Sequence, residues 1–156
     1  MKTTREDEEW VLWHINYESA FLNANLDDKE VYIEWPEGMV ELGFMTQEEF
    51  DNTCARLGTS MYGNVDAAMR WFYELTDHMT DKMDMTRSLT DPCVIFKKLD
   101  NEMFKVATGL NVDDTMLLAR KKDAQAFSDA ISQRFNITVQ HEMKKHLGVD
   151  LSLIHI

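Results

Sequence analysis

Two adjacent carboxylates, Asp113 and Asp114, lie between two apolar runs at 103–110 and 115–119. In a flat strand neighbouring side chains point to opposite faces, so an Asp-Asp pair cannot share one site. At a hairpin tip the backbone bends, and both carboxylates can lean toward one side. Two like charges held that close repel, and one pKa rises unless a cation sits between them. Hard oxygen ligands of this kind suit Mg2+ or Mn2+. Two such ions about 3.5–4 Å apart would activate a hydroxyl and stabilise a leaving pyrophosphate. The dipeptide alone is more often a plain turn, because Asp is a common turn former. Its surroundings have to decide.

The elements that would position the pair can be read from pattern. Residues 10–17 (WVLWHINY) form an aromatic and β-branched run that predicts a buried strand. Residues 18–25 predict a short helix or turn, 31–33 a second strand, and Pro36-Glu37-Gly38 a loop. Thr46 followed three residues later by Glu49 marks a capped helix start within 46–52. Residues 56–62 predict strand or extended chain. A longer helix is predicted over 65–82, with Ala68, Met69, Phe72, Leu75, Met79 and Met83 on one stripe. Strands follow at 93–96, 103–110 and 115–119. A helix over 123–134 carries Ala126, Phe127, Ala130, Ile131 and Phe135 inward, and strands at 137–140 and 149–154 close the chain. Mixed strands and helices around an antiparallel hairpin predict an α+β fold. Residues 1–12 read as a frayed acidic N-terminus and 13–156 as one domain.

Composition narrows the function classes. The chain has 156 residues, 44% of them hydrophobic, which is enough for a core and argues against disorder. No run of about 18 apolar residues is present, so no membrane span or membrane partner is expected. The first nine residues lack the apolar stretch of a signal peptide. Cys54 and Cys93 are the only cysteines, which fits an intracellular, cytoplasmic setting. Residues 1–60 carry 4 Lys/Arg against 14 Asp/Glu, and residues 61–156 carry 12 against 14. A protein that grips a phosphate backbone usually presents a basic face, so charge alone argues against strong nucleic-acid binding.

Other constellations carry less. His141 and His146 are five residues apart, which takes them off the shared helical face that an HExxH zinc site requires. His14, within an apolar run, reads as a packed strand residue. Lys97-Lys98 and Arg120-Lys121-Lys122 are basic clusters, and the second reads as a solvated helix start. Most methionines read as core filler.

A series of short motifs changes the weight of the Asp pair. Asn111-Val112-Asp113-Asp114 resembles the Tyr-Val-Asp-Asp hairpin of copia-type retrotransposon reverse transcriptases. Asn16-Tyr17-Glu18 before Ser19-Ala20-Phe21-Leu22-Asn23-Ala24 resembles that family's first palm motif, an Asp followed three residues later by Thr-Ala-Phe-Leu-Asn-Gly. Glu30-Val31-Tyr32-Ile33 with Trp35-Pro36-Glu37-Gly38 is similar to its next stretch. Ser60-Met61-Tyr62-Gly63 with Trp71 is similar to its Ser-Leu-Tyr-Gly motif and following helix. Thr90-Asp91-Pro92-Cys93 and Leu147-Gly148-Val149-Asp150 complete the series. The match runs from about Trp13 to Leu153 with every motif in family order.

The resemblance implies a polymerase palm-like antiparallel sheet backed by helices, with part of the fingers, and with thumb and RNase H outside this chain. It implies RNA-directed DNA synthesis from deoxynucleoside triphosphates on an RNA or DNA template-primer, within a Gag-Pol-type polyprotein. It implies Asp113 and Asp114 as ligands of Mg2+ or Mn2+, and Phe21, Tyr62, Gly63 and position 66 near nucleotide and template. The departures fall on these positions. The bridging first-motif Asp is Asn16, a neutral amide where charge holds a dication. The hairpin Tyr is Asn111, the Gln three residues after Gly63 is Asp66, and the Arg expected near 69 is Met69 with Arg70 beside it. An inactive chain is expected. Two other readings stand beside this one: a non-catalytic palm-fold remnant or interaction module, and an unrelated acidic α+β domain with a simple Asp-Asp turn.

Overall fold

Alternation of side chains along the strands sets the architecture, because each strand has one face toward helices and one away. The computed structural model describes residues 9–26, 28–98, 104–143, 145–146 and 149–150. The first strand, β1 (Trp10–Tyr17), buries Trp13, Ile15 and Tyr17 and turns His14 and Asn16 to the opposite face. A short 3-10 turn, Ala20–Asn23, follows, entered through Ser19 at φ 53. β2 (Tyr32–Ile33), α1 (Gln47–Asn52) and β3 (Ala55–Arg56) form a small outlying unit. Thr46 caps α1 with the capping box that the sequence predicts. Next come α2 (Ala67–Asp81), β4 (Thr86–Arg87), β5 (Val94–Lys98), β6 (Phe104–Asn111), β7 (Asp114–Arg120) and α3 (Lys121–Ile131). β8 (Ile137–Gln140), β9 (Lys145–His146) and β10 (Val149–Asp150) complete the described chain.

Six strands make one antiparallel sheet in the order β4-β5-β6-β7-β1-β8. Register aligns Ile95, Thr108, Leu117 and Trp13 across the buried face. These pack with Trp71, Leu75 and Met79 of α2 and with Ala124, Phe127 and Ile131 of α3 in one core. The other face carries Val94, Gly109, Met116 and His14 in one row and Asn111, Asp114 and Asn16 in the next. The fold is therefore α+β, a six-stranded antiparallel sheet with helices against one face. Among the described residues no helix is long and apolar enough to cross a membrane.

Four expectations need correction. The buried stripe of α2 is Ala67, Trp71, Leu75, Thr76 and Met79, while Ala68 and Met69 are exposed. Both sets satisfy helical spacing, and the bulk of Trp71 directed at Tyr17 and Phe135 fixes the rotation. In α3 the buried positions are Ala124, Phe127, Ser128 and Ile131; Ala126 is exposed. The extended run expected at 56–62 is a strand only at Ala55–Arg56, after which Ser60 is buried with its N–H on the Ala24 carbonyl at 2.7 Å. Of the frayed N-terminus expected over 1–12, residues 1–8 lie outside the described residues, whereas Trp10, Val11 and Leu12 are not frayed but pair with β7 as the start of β1. The strand portion expected at 151–154 also lies outside the described residues.

Candidate active site at the Asp113–Asp114 turn

The β6–β7 hairpin closes through two residues, Val112 and Asp113, with Asn111 opposite Asp114. Hairpins this tight need positive φ, a conformation that Gly, Asn or Asp adopts most easily. Here Val112 takes it, at φ 52. Two contacts hold the turn from outside the hairpin. Trp71 Nε1 donates to the Val112 carbonyl at 2.7 Å, and the Tyr17 N–H donates to the Asp113 carbonyl at 2.9 Å. The second bond continues the β1–β7 pairing beyond its last matched residues, so the turn is tied to the strand that carries Asn16.

That register brings Asn16 directly opposite Asp114. Asn16 Nδ2 donates to Asp114 Oδ1 at 3.3 Å, and His14 Nε2 lies 2.7 Å from the same oxygen. All three side chains stand on the sheet face away from the helices and are partly exposed. His14 is thus not the packed apolar-run residue expected from sequence; strand alternation turns it to the open face beside the acid. Asp113 and Asp114 are two carboxylates, and among the described residues no three His, Cys, Asp or Glu side chains gather as a metal-holding group. A Mg2+ ion is commonly held by one or two carboxylates with the rest of its shell from water or phosphate. Asp113 and Asp114 supply that number of carboxylates for one ion; Asn16 adds no charge to share between two.

The other predicted positions fall into two groups. The rings of Phe21 and Tyr62 are 4.8 Å apart and tilted by 54°, and Tyr62 is largely exposed. Gly63 at φ 98 makes the turn that follows. Asp66 belongs elsewhere. Its Oδ2 accepts from Lys29 Nζ at 2.7 Å and from Arg70 Nε at 2.7 Å, while Arg70 also forks across Asp28 at 2.6 and 2.9 Å. Lys29, then Arg70, hold the Asp66 carboxyl down to about 2. Asp28 is lowered by the same guanidinium. Asp66 therefore does not present a bare negative charge, as its place in the motif series implies; its charge is matched on the spot. Sequence reading missed Lys29 and Asp28, whose only signal was charge in a polar loop.

The arrangement brings together positions far apart in the chain: Asn16 and Asp114 face each other on one sheet face, with Asp113 in the adjoining turn. Residues 3–155 match the family described as reverse transcriptase (RNA-dependent DNA polymerase). The chain belongs to the reverse transcriptase family. It is 28% identical over 108 residues to the retrovirus-related Pol polyprotein from transposon TNT 1-94 of Nicotiana tabacum, an alignment covering 69% of this chain and 8% of that protein. It is 25% identical over 145 residues to the corresponding polyprotein from transposon RE2 of Arabidopsis thaliana, covering 92% of this chain and 9% of that one. The chain thus spans less than a tenth of each of these relatives. No solved structure matches it.

Proposed function

We propose that this reverse transcriptase chain is the palm of a copia-type RNA-directed DNA polymerase that works within a longer polyprotein, and that the chain by itself does not extend a primer. The observation that carries the reading is the pairing of Asn16 with Asp114, because it sets the first-motif position against the acidic turn in one site. Asp113 and Asp114 would hold Mg2+ or Mn2+. A divalent cation there supplies Lewis-acid activation of a primer hydroxyl and neutralises charge on the departing pyrophosphate. Asn16 takes the third place with a neutral amide, which weakens the hold on that cation. Small misplacements of reacting oxygens cost orders of magnitude in rate, and this is the ground for inactivity. Phe21, Tyr62 and Gly63 would border the incoming nucleotide. Template-primer, deoxynucleoside triphosphate and the remainder of the polyprotein are the partners this reading requires, inside the cell.

A non-catalytic remnant is the second reading, and one observation favours it: Asp114 Oδ1 already has two nitrogen partners, His14 and Asn16. Mn2+ titration followed by electron paramagnetic resonance separates the two. The palm reading expects a saturable site that Asp113→Ala removes, together with no extension of oligo(dT) on poly(rA) by the chain alone. A titration indifferent to Asp113→Ala favours the remnant, and measurable extension refutes the claim of inactivity.

A further inference from the structure

Val112 is the strained member of the acidic turn. A β-branched side chain at φ 52 lies in a region such residues avoid, and it persists only where surrounding contacts impose it. The contact on Val112 itself is the hydrogen bond from Trp71. Trp71 cannot easily drift from this position. It is 1% exposed, with its ring edge-on to Tyr17 at 5.2 Å and to Phe135 at 5.2 Å. A buried indole usually finds an acceptor for its N–H. Helix and sheet carbonyls are already engaged in their ladders, whereas the Val112 carbonyl sits in the two-residue loop. Beside the bond lies a cavity of about 230 Å3, lined in part by Leu110, Val112 and Cys93. The turn therefore has room to relax if the bond is cut.

We infer that Trp71 is the positioning residue of the acidic turn: its indole N–H holds Val112 in the left-handed conformation and so sets where Asp113 stands relative to Asp114 and Asn16. Packing against Tyr17 and Phe135 explains why an aromatic residue occupies position 71. It does not explain a donor aimed at the strained carbonyl. The consequence for cation binding rests on the reading of Asp113 and Asp114 as ligands; the mechanical clamp does not. Glycine at position 112 would adopt positive φ without help, so it should make the clamp dispensable.

The test uses the full chain carrying Trp71→Phe, and a second variant in which the Trp71 indole is replaced by benzothiophene, which keeps the bicyclic shape and lacks the N–H. Each is made alone and with Val112→Gly. Amide exchange is followed at Tyr17, whose N–H bonds Asp113, and at Leu117 in the sheet centre; Mn2+ affinity is measured in parallel. Loss of the clamp should speed Tyr17 exchange about fivefold, the weight of one neutral hydrogen bond, with Leu117 unchanged. Mn2+ affinity should fall by a similar factor, and Val112→Gly should restore both to within about twofold. Exchange and affinity unmoved in the benzothiophene variant, or defects that Val112→Gly leaves in place, overturn the inference. If the unaltered chain has no Asp113-dependent Mn2+ site, the cation reading fails, and the exchange measurement alone decides whether Trp71 is the clamp.

Discussion

Asn16 stands directly across the β1–β7 pairing from Asp114 and donates Nδ2 to Oδ1 at 3.3 Å, while His14 Nε2 approaches the same oxygen at 2.7 Å. Position 16 therefore has a structural consequence as well as a chemical one. With an amide there, Asp114 is met by two nitrogen partners and this end of the β1–β7 pair needs no cation to offset facing charges. With a carboxylate there, two acids would face each other across adjacent strands, and the fold would lean on a cation.

Asn16→Asp turns that relationship into a measurement. Like charges placed opposite one another in a sheet are destabilising, so in chelator the variant should lose about 0.5–1 kcal/mol of stability. Mn2+ should return that loss, because a cation between the carboxylates converts repulsion into ligation. Urea unfolding with and without Mn2+ reads both effects. Equal stability of the two chains in chelator, with equal shifts on adding Mn2+, would show that position 16 does not face the acidic turn in solution.

The ion pairs around Asp66 predict a dependence on acid. The folded carboxyl sits at about 2, held there by Lys29 and Arg70, against an ordinary value of 3.8. The unfolded chain thus takes up this proton first, and the contribution of Asp66 is complete above about pH 4 and drains away as pH falls toward 2. The gap in urea midpoint between the parent chain and Asp66→Asn should be constant near neutrality and close through that window. Added salt should narrow it, since the partners are partly exposed. A gap that persists unchanged at pH 2 counts against the pairing.

What could be read from sequence was what local rules decide. The hairpin around Asp113, the capping box at Thr46 and the long helix before Asp81 each depend on neighbours a few residues away. The rotation of α2 was not local: stripes through Ala68 and through Ala67 are equally good helical faces, and the sheet chooses by taking Trp71. α3 misled because Ser128 is buried where Ala126 and Ala130 seemed the better core residues; small side chains of either polarity let a helix lie close to a sheet. At the candidate site, motif order pointed to positions 16 and 114, which the register sets opposite one another. His14 was not legible, because its approach to Asp114 is a product of register between residues 100 apart. The Lys29–Asp66–Arg70–Asp28 network escaped for the same reason, joining a loop to a helix start across about 40 residues.

Phe135 gives the sharpest contrast between core and surface. It is 1% exposed, with ring contacts to Trp71 at 5.2 Å, His78 at 5.3 Å and Tyr17 at 5.9 Å. Phe135→Ala should cost about 3–5 kcal/mol, the transfer term plus the cavity left against α2 and β1. Phe44 is 71% exposed, and Phe44→Ala should stay within about 0.5 kcal/mol of the parent. Urea unfolding followed by tryptophan fluorescence compares them. Similar losses at the two positions would mean that the core described here is not the one that holds the chain.

The α1 unit should respond on its own. Its six residues, Gln47–Asn52, bury none of their number, and a helix so short is marginal without outside support. Two supports are present, a hydrogen bond from Trp35 Nε1 to Thr53 Oγ1 at 2.9 Å and the N-terminal cap. Thr46 Oγ1 accepts from the Glu49 N–H at 3.2 Å, and the Thr46 N–H donates to Glu49 Oε2 at 2.8 Å. Glu48 and Glu49 in the first turn also favour the positive end of the helix dipole. Thr46→Ala removes the side-chain half of the box and should cost about 1 kcal/mol locally. Because α1 adds nothing to the buried core, the urea midpoint should barely move. The loss should appear instead as roughly fivefold faster amide exchange at Glu49, Phe50 and Thr53, with Thr46→Ser restoring protection. A midpoint shift as large as that of a core truncation, or exchange unchanged at all three amides, would show that α1 is held by something other than its cap.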